Sequence, residues 1–122
     1  MSVSKISARS VRIGQTTVSF SMDVSEILKL PDRVLVMVNN YGAPETDPDF
    51  GRNIFAYDLE GNALWRVEDA RVMVGGRTVD KVSQGYTDLH RGDDGKIYAW
   101  VLDHRHVLDP ETGKILEAAY MR

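Results

Sequence analysis

Residues 53–64 read NIFAYDLEGNAL, and residues 104–116 read HRHVLDPETGKIL. Both stretches run from a strand-like segment through an aspartate and a glycine into a second strand-like segment. An aspartate side chain accepts backbone N–H groups at the start of a turn, and glycine supplies the positive φ that tight turns need. The pattern predicts two similar β-hairpins, over 53–68 and 104–119, and such repeats are typical of folds built from similar sheet units. The corresponding turn residues are Asp58, Gly61, Asp109 and Gly113.

The two repeats resemble the blades of quinoprotein-type (pyrroloquinoline-quinone-like) β-propellers. The hairpins of such blades read roughly as strand, Ala-Leu-Asp, two residues, Gly, two residues and Leu-Trp. The matching residues are Ala56, Tyr57, Asp58, Gly61, Leu64 and Trp65 in the first copy, and Val107, Leu108, Asp109, Thr112, Gly113, Ile115 and Leu116 in the second. The stretch DGKIYAW at 94–100 resembles the inner strand that precedes this hairpin. We expect the large apolar residue after each turn, Trp65 or Leu116, to pack on a neighbouring sheet.

The remaining segments predict further strands. Residues 11–22 alternate apolar and polar side chains around a turn at 14–15, and the apolar run at 34–38 (VLVMV) predicts a central strand buried on both faces. Residues 23–30 are ambiguous, because Asp23 and Glu26 have the spacing of a helix capping box. We favour a strand there, since a helix of one or two turns is marginal without strong packing.

These elements predict a single all-β domain over 1–122. We expect an antiparallel meander of about nine to eleven short strands, forming a two-sheet, propeller-blade-like sandwich or an open barrel. Closed propellers have at least about four blades, so two repeats are too few for closure. Either the sheets cover each other or the chain assembles with copies of itself. A quinone site needs many blades, and no cofactor is expected.

The composition excludes several classes of protein. The 122 residues are 43% apolar and 27% charged, and they include no cysteine, which excludes disulfides, thiolate metal sites and a cysteine nucleophile. The N-terminal residues lack the apolar core of a signal peptide, and no apolar run is long enough for a membrane span. The formal net charge of −3 and the scattered basic residues argue against nucleic-acid binding. We expect a cytoplasmic protein without a membrane or nucleic-acid partner.

The longest irregular segment, residues 39–52, reads NNYGAPETDPDFGR and is the first candidate for a functional surface. Its alternating carboxylates are of the type that binds Ca²⁺, but the two prolines and the absence of a completing glutamate favour a partner-binding loop instead. The aromatic residues would be anchors and the acidic ones a charged rim. The predicted partner-binding residues are Tyr41, Glu45, Asp47, Asp49 and Phe50.

Three histidines offer an alternative chemistry. His104 and His106 would point to the same side of a strand, as two metal ligands do, and His90 could supply a third nitrogen. A solvated strand face is the simpler interpretation, so we assign no metal site. Asp88 alternates with His90, but no G-x-S-x-G elbow accompanies them and no catalytic residue is assigned. The strand aromatics are expected to be packing residues, namely Phe55, Tyr57, Trp65, Tyr86, Tyr98 and Trp100.

The favoured function is a non-enzymatic, bacterial-type domain that binds another protein. Its size, mild acidity and lack of cysteine are similar in style to those of toxin-neutralising immunity proteins and adaptors. One alternative is a small-molecule-binding or metal-binding enzyme that uses His90, His104 and His106. The other is a structural subunit of a larger β-assembly, and homodimerisation remains open.

Overall fold

The computed structural model describes residues 3–40, 51–74, 77–79 and 85–121, and of residues 73, 74, 78 and 79 the backbone alone. Within these ranges the chain forms thirteen strands, all paired antiparallel, and no helix. No segment of the described part has the long apolar helix that a membrane crossing would require. The all-β antiparallel class is confirmed.

The strands form three meander sheets and one hairpin. The first sheet contains β1 (Val3–Ser7), β2 (Ser10–Ile13) and β3 (Thr16–Ser19). The middle sheet contains β4 (Val24–Lys29), β5 (Arg33–Val38), β6 (Ile54–Asp58) and β7 (Ala63–Arg66). A hairpin of β8 (Val72–Val74) and β9 (Arg77–Val79) leads to the last sheet, which contains β10 (Asp88–Arg91), β11 (Ile97–Val101), β12 (His104–Leu108) and β13 (Ile115–Tyr120).

The middle sheet is covered on both faces. Val34, Val36 and Val38 of β5 belong to the core that it shares with the first sheet. Leu35 and Met37 of the same strand belong to the core that it shares with the last sheet. Successive side chains of a strand point to opposite faces, so an unbroken apolar run suits a strand with a sheet on either side. The expected two-sided central strand is confirmed, and the three sheets form a stack.

The ambiguous segment at 23–30 is a strand, β4, as favoured. The hairpin turning at 14–15 is also present, as β2 and β3. The strand β1 was not expected, because Val3 is its one buried side chain and the alternating apolar pattern is therefore missing. With β1 paired to β2, residues 3–19 form a sheet of their own, and the stack has three layers where two were expected.

Both predicted turns have the expected chemistry. The Asp58 carboxylate accepts the backbone N–H groups of Asn62 at 2.9 Å and Glu60 at 3.0 Å, and the hydrogen bond from Asn62 holds its pKa below the ordinary value. The Asp109 carboxylate accepts the N–H of Glu111 at 2.9 Å. The turn glycines have φ angles of 88° at position 61 and 75° at position 113.

The two hairpins also share a β-bulge that the sequence motif did not reveal. The register shifts between positions 56 and 57 in the middle sheet and between 107 and 108 in the last sheet. The bulged residues are Leu64 and Leu116, and their exposures are 43% and 64%. The expectation that Leu116 packs on a neighbouring sheet is therefore wrong, because a bulge leaves its extra residue outside the ladder. Glu117, opposite Val107, occupies the place that Trp65 has opposite Ala56.

A similar contact recurs at the two junctions of the stack. Thr16 of the first sheet lies so close to Gly61 that a Cβ there would come 2.5 Å from the threonine Cβ. Trp65 of the middle sheet covers Gly113 in the same manner, and a Cβ on that glycine would overlap the indole ring. The indole Nε1 also donates a hydrogen bond of 2.8 Å to the carbonyl of Pro110. Trp65 thus packs on the neighbouring sheet as expected, although its side chain remains partly exposed.

The contact between Trp65 and Gly113 predicts that alanine destabilises the protein more at Gly113 than at Gly95, a glycine of similar backbone conformation. Gly95 has φ 82°, and a Cβ there would meet only an Arg91 guanidinium nitrogen at 3.9 Å. Gly95→Ala should therefore lower the free energy of unfolding by about 1–2 kcal/mol, the cost of a left-handed alanine. Gly113→Ala must also displace Trp65, and we expect about 2 kcal/mol more. Equal losses in urea titrations would show that Trp65 is not held against this turn.

Candidate functional site

The last sheet has one face in the core and one face open. Leu89, Ile97, Ala99, Val101 and Leu108 point inward and belong to the core shared with the middle sheet. The alternate residues point the other way, because successive side chains of a strand alternate between faces. We call this surface the open face; its residues are Asp88, His90, Tyr98, Trp100, Arg105, Val107, Glu117 and Ala119.

Tyr98 stands at the centre of the open face with its ring held from both neighbouring strands. His90 on β10 stacks on it, with ring centroids 5.5 Å apart and planes inclined by 24°. The guanidinium carbon of Arg105 on β12 lies 5.0 Å from the ring centroid. The phenol donates a 2.5 Å hydrogen bond to the carboxylate of Asp94, which lowers the pKa of Asp94 and raises that of Tyr98. The ring therefore has little freedom to reorient.

A shallow cleft of about 350 Å³ opens beside this ring. Its lining residues are His90, Gly92, Asp93, Asp94, Tyr98, Trp100 and Arg105. Trp100 pairs with Asp88 on one side and Arg105 on the other, and its indole is partly exposed. Gly92 leaves room for Tyr98, since a Cβ there would lie 2.5 Å from the ring. The cleft combines two aromatic rings with both signs of charge.

Carboxylates dominate the charge of this surface. Asp88, Asp93, Asp94 and Glu117 are exposed on the face or in its adjoining turn, together with the cations Arg105 and Lys96, the latter beside Asp94. The Asp88 carboxylate lies 2.7 Å from His90 Nδ1, and both side chains are about half exposed. Such an arrangement favours a ligand that presents an apolar or aromatic contact together with positive charge.

The candidate histidine site is not assembled. His104 and His106 do share one side of β12, as expected, but that side faces the core, where their exposures are 5% and 0%. His90 lies on the opposite face of the same sheet. The inward and outward positions of HRHVL are the reverse of those expected: Arg105 points outward and the two histidines point inward. Across the described ranges, no three His, Asp or Glu residues are placed to hold a metal ion.

His106 is a core histidine with its hydrogen bonds made. Its Nε2 accepts the N–H of Arg71 at 3.0 Å, and its Nδ1 lies 3.2 Å from the carbonyl of His104. This pairing requires the neutral ring with its proton on Nδ1. The ring also meets Tyr86 edge-on, with centroids 5.5 Å apart. Burial lowers the pKa of His106 below its ordinary value.

The lowered pKa predicts how stability changes with pH. The unfolded chain takes up a proton at His106 near pH 6.5, whereas the folded protein does so only at lower pH. The stabilising contribution is thus complete above about pH 6.5 and is lost as the pH falls towards the folded pKa. In His106→Gln, which does not titrate, the free energy of unfolding should fall less between pH 7.5 and 5 than in the wild type. Parallel pH profiles would contradict a buried neutral histidine.

The predicted partner-binding residues Tyr41, Glu45, Asp47, Asp49 and Phe50 lie outside the described residues, so the loop hypothesis stays a prediction. The structure does describe where the loop begins and ends. The backbone N–H of Val38 donates to the carbonyl of Asn53 at 2.9 Å, and the Asn53 amide donates to the carbonyl of Val38 at 2.7 Å. The two ends of the segment are therefore held together at one point of the middle sheet.

The open face was missed from the sequence. Tyr98 and Trp100 were expected to be packing residues like the other strand aromatics, but they are partly exposed. The signal was the strict alternation in 97–101 (IYAWV), whose burial alternates between buried and intermediate. Small or branched side chains at alternate positions marked the core face, so the two large aromatics belonged to the other face.

The molecule is thus an all-β domain of three stacked sheets with an aromatic, acid-rimmed face at one end. The chain belongs to the family described as Domain of unknown function (DUF7957), whose model matches residues 1–120. No curated protein and no solved structure matches the chain. The resemblance to quinoprotein propeller blades accordingly stays a prediction.

Proposed function

We propose that this chain is a non-enzymatic domain that binds another protein, with the open face as its binding surface. The observation that carries the proposal is the partly exposed group of Tyr98, Trp100 and Arg105 on a regular sheet. Tyrosine, tryptophan and arginine are the residue types that dominate the binding energy of protein interfaces. On a sheet face they form a continuous surface of the kind that a macromolecular partner covers.

Tyr98 is preorganised for binding at the open face. His90, Arg105 and Asp94 already hold the Tyr98 ring in the free protein. A side chain that is fixed before association loses little conformational entropy on binding, so more of its contact energy contributes to affinity. The surrounding carboxylates would select a partner with a basic surface and accelerate its approach.

The separation of the histidines favours a binding role over the enzyme alternative. A site using His90, His104 and His106 would need all three on one face, whereas the last sheet lies between His90 and the other two. We propose a cytoplasmic immunity protein or adaptor as the biological role, and the loop at 39–52 as a second contact region. A toxin gene adjacent to the gene for this chain would support the immunity role.

Trp100→Ala tests the proposal against a matched control. The partner is captured from the native source with wild-type protein, purified and titrated against each variant. We expect Trp100→Ala to weaken binding at least tenfold, about 1.4 kcal/mol, with an unchanged melting temperature. Leu64→Ala, which truncates an exposed apolar side chain on the middle sheet, should bind as the wild type does.

A folded Trp100→Ala protein with wild-type affinity would place the binding surface elsewhere. The double variant Tyr41→Ala, Phe50→Ala then tests the loop. If that variant binds weakly while Trp100→Ala binds normally, the loop alone is the binding surface.

A further inference from the structure

We infer that the open face binds the first sheet of a second copy of this chain, so that two chains associate head to tail through two such contacts. The inference rests on the proposed function, because it names the occupant of the same surface. Each chain contributes three stacked sheets, so two chains would form a ring of six. Closed propellers contain roughly four to eight sheets of four strands, and two of the three stacked sheets here have four strands.

The open face corresponds to a surface that is already covered in the middle sheet. In the middle sheet, Met37 pairs with Ile54 on the face that packs against the last sheet. When the two sheets are aligned on their bulges, Trp100 corresponds to Met37 and Arg105 corresponds to Ile54. Trp100 and Arg105 also pair with each other. The open face therefore has the position at which a further sheet of the stack would pack.

The last sheet ends the stack with Glu117 in the place that Trp65 has in the middle sheet. Trp65 covers the turn glycine of the last sheet. Gly14, with φ 60°, lies in the turn of the first sheet and faces its own chain, because a Cβ there would lie 3.1 Å from the carbonyl oxygen of Leu59. In a head-to-tail pair, Glu117 of one chain would meet the outer side of the turn at 14–15 of the other.

The first sheet presents a suitable surface for this contact. Its outer side chains are polar and, apart from Arg12, small. We call them the first outer face: Ser4, Ser10, Arg12, Thr17 and Ser19. Arg12, at the centre, is the charged member of this set and is exposed. Ile13 separates Arg12 from the turn at 14–15 and points into the core, so Arg12 and its partner Thr17 are the residues of the first outer face nearest to that turn. The repeat therefore brings Arg12 of one chain close to Glu117 of the other.

Charge favours this pairing over a symmetric one. Two open faces placed against each other would set one carboxylate-rich face against another, and like charges at an interface are unfavourable. The head-to-tail arrangement sets a basic centre against an acidic rim. A heterologous contact must close into a ring or polymerise, and we expect closure with two chains.

Sedimentation velocity over a range of concentrations tests the inference with the intact chain. The wild type should sediment as a dimer at high concentration and dissociate on dilution. Arg12→Glu and Glu117→Arg should each raise the dimer dissociation constant at least tenfold, because each places like charges together. The double variant should recover most of the affinity, since both contacts regain an opposite pair. Circular dichroism and thermal melts confirm that each variant is folded.

Matched charge changes elsewhere act as controls. Lys29→Glu and Glu60→Arg change the net charge equally at exposed positions outside both faces, and should leave the dissociation constant unchanged. A dimer that is weakened by Trp100→Ala but not by Arg12→Glu would mean two open faces in contact, and would overturn the inference.

The two proposals fail in different ways. A wild type that stays monomeric at every concentration, while Trp100→Ala still weakens binding to a captured protein, overturns self-association and leaves the proposed function standing. A dimer unaffected by both Arg12→Glu and Trp100→Ala overturns the inference, and normal binding of the captured protein by Trp100→Ala would overturn the proposed function as well.

Discussion

One buried amide holds the middle and last sheets in their relative position. Asn53 is 1% exposed, and its side chain donates to the carbonyls of Val38 at 2.7 Å and Tyr86 at 2.8 Å while accepting the N–H of Tyr86 at 2.7 Å. It thus satisfies backbone groups where the chain leaves β5 and where it approaches β10. An unsatisfied buried group costs about 1–3 kcal/mol, so the amide strongly favours this arrangement. β10 begins two residues after Tyr86, at Asp88, so the amide helps to fix where this strand starts.

The stack explains why the open face of the last sheet differs in chemistry from the equivalent face of the middle sheet. In the middle sheet that face lies within the chain and is lined by aliphatic residues. In the last sheet it carries aromatic rings and charges, which can be exposed to water and can still bind another surface. The proposed binding role therefore requires no separate site added to the fold, since the open face lies where the repeated stacking ends.

Local rules made much of the fold predictable from the sequence. The turn aspartates and glycines, the two-sided strand β5 and the strand at β4 follow from residue types within a few positions of each other. The errors concern which face of a strand meets another sheet. Leu116 is exposed because a bulge shifts the parity of β13, and His104 and His106 are buried because β12 has the opposite parity to the one expected. Parity depends on packing partners distant in sequence, and for the same reason the open face was not foreseen.

The most direct test of the account is whether the open face and the first outer face meet between chains. The chain has no cysteine, so Arg12→Cys and Glu117→Cys each introduce a unique thiol. A short bismaleimide reagent bridges a gap that a disulfide would not tolerate. The account predicts that a mixture of the two variants gives a cross-linked dimer containing one chain of each, and that neither variant cross-links alone. Cross-linking of Glu117→Cys to itself, or none in the mixture at concentrations where the wild type is dimeric, would contradict it.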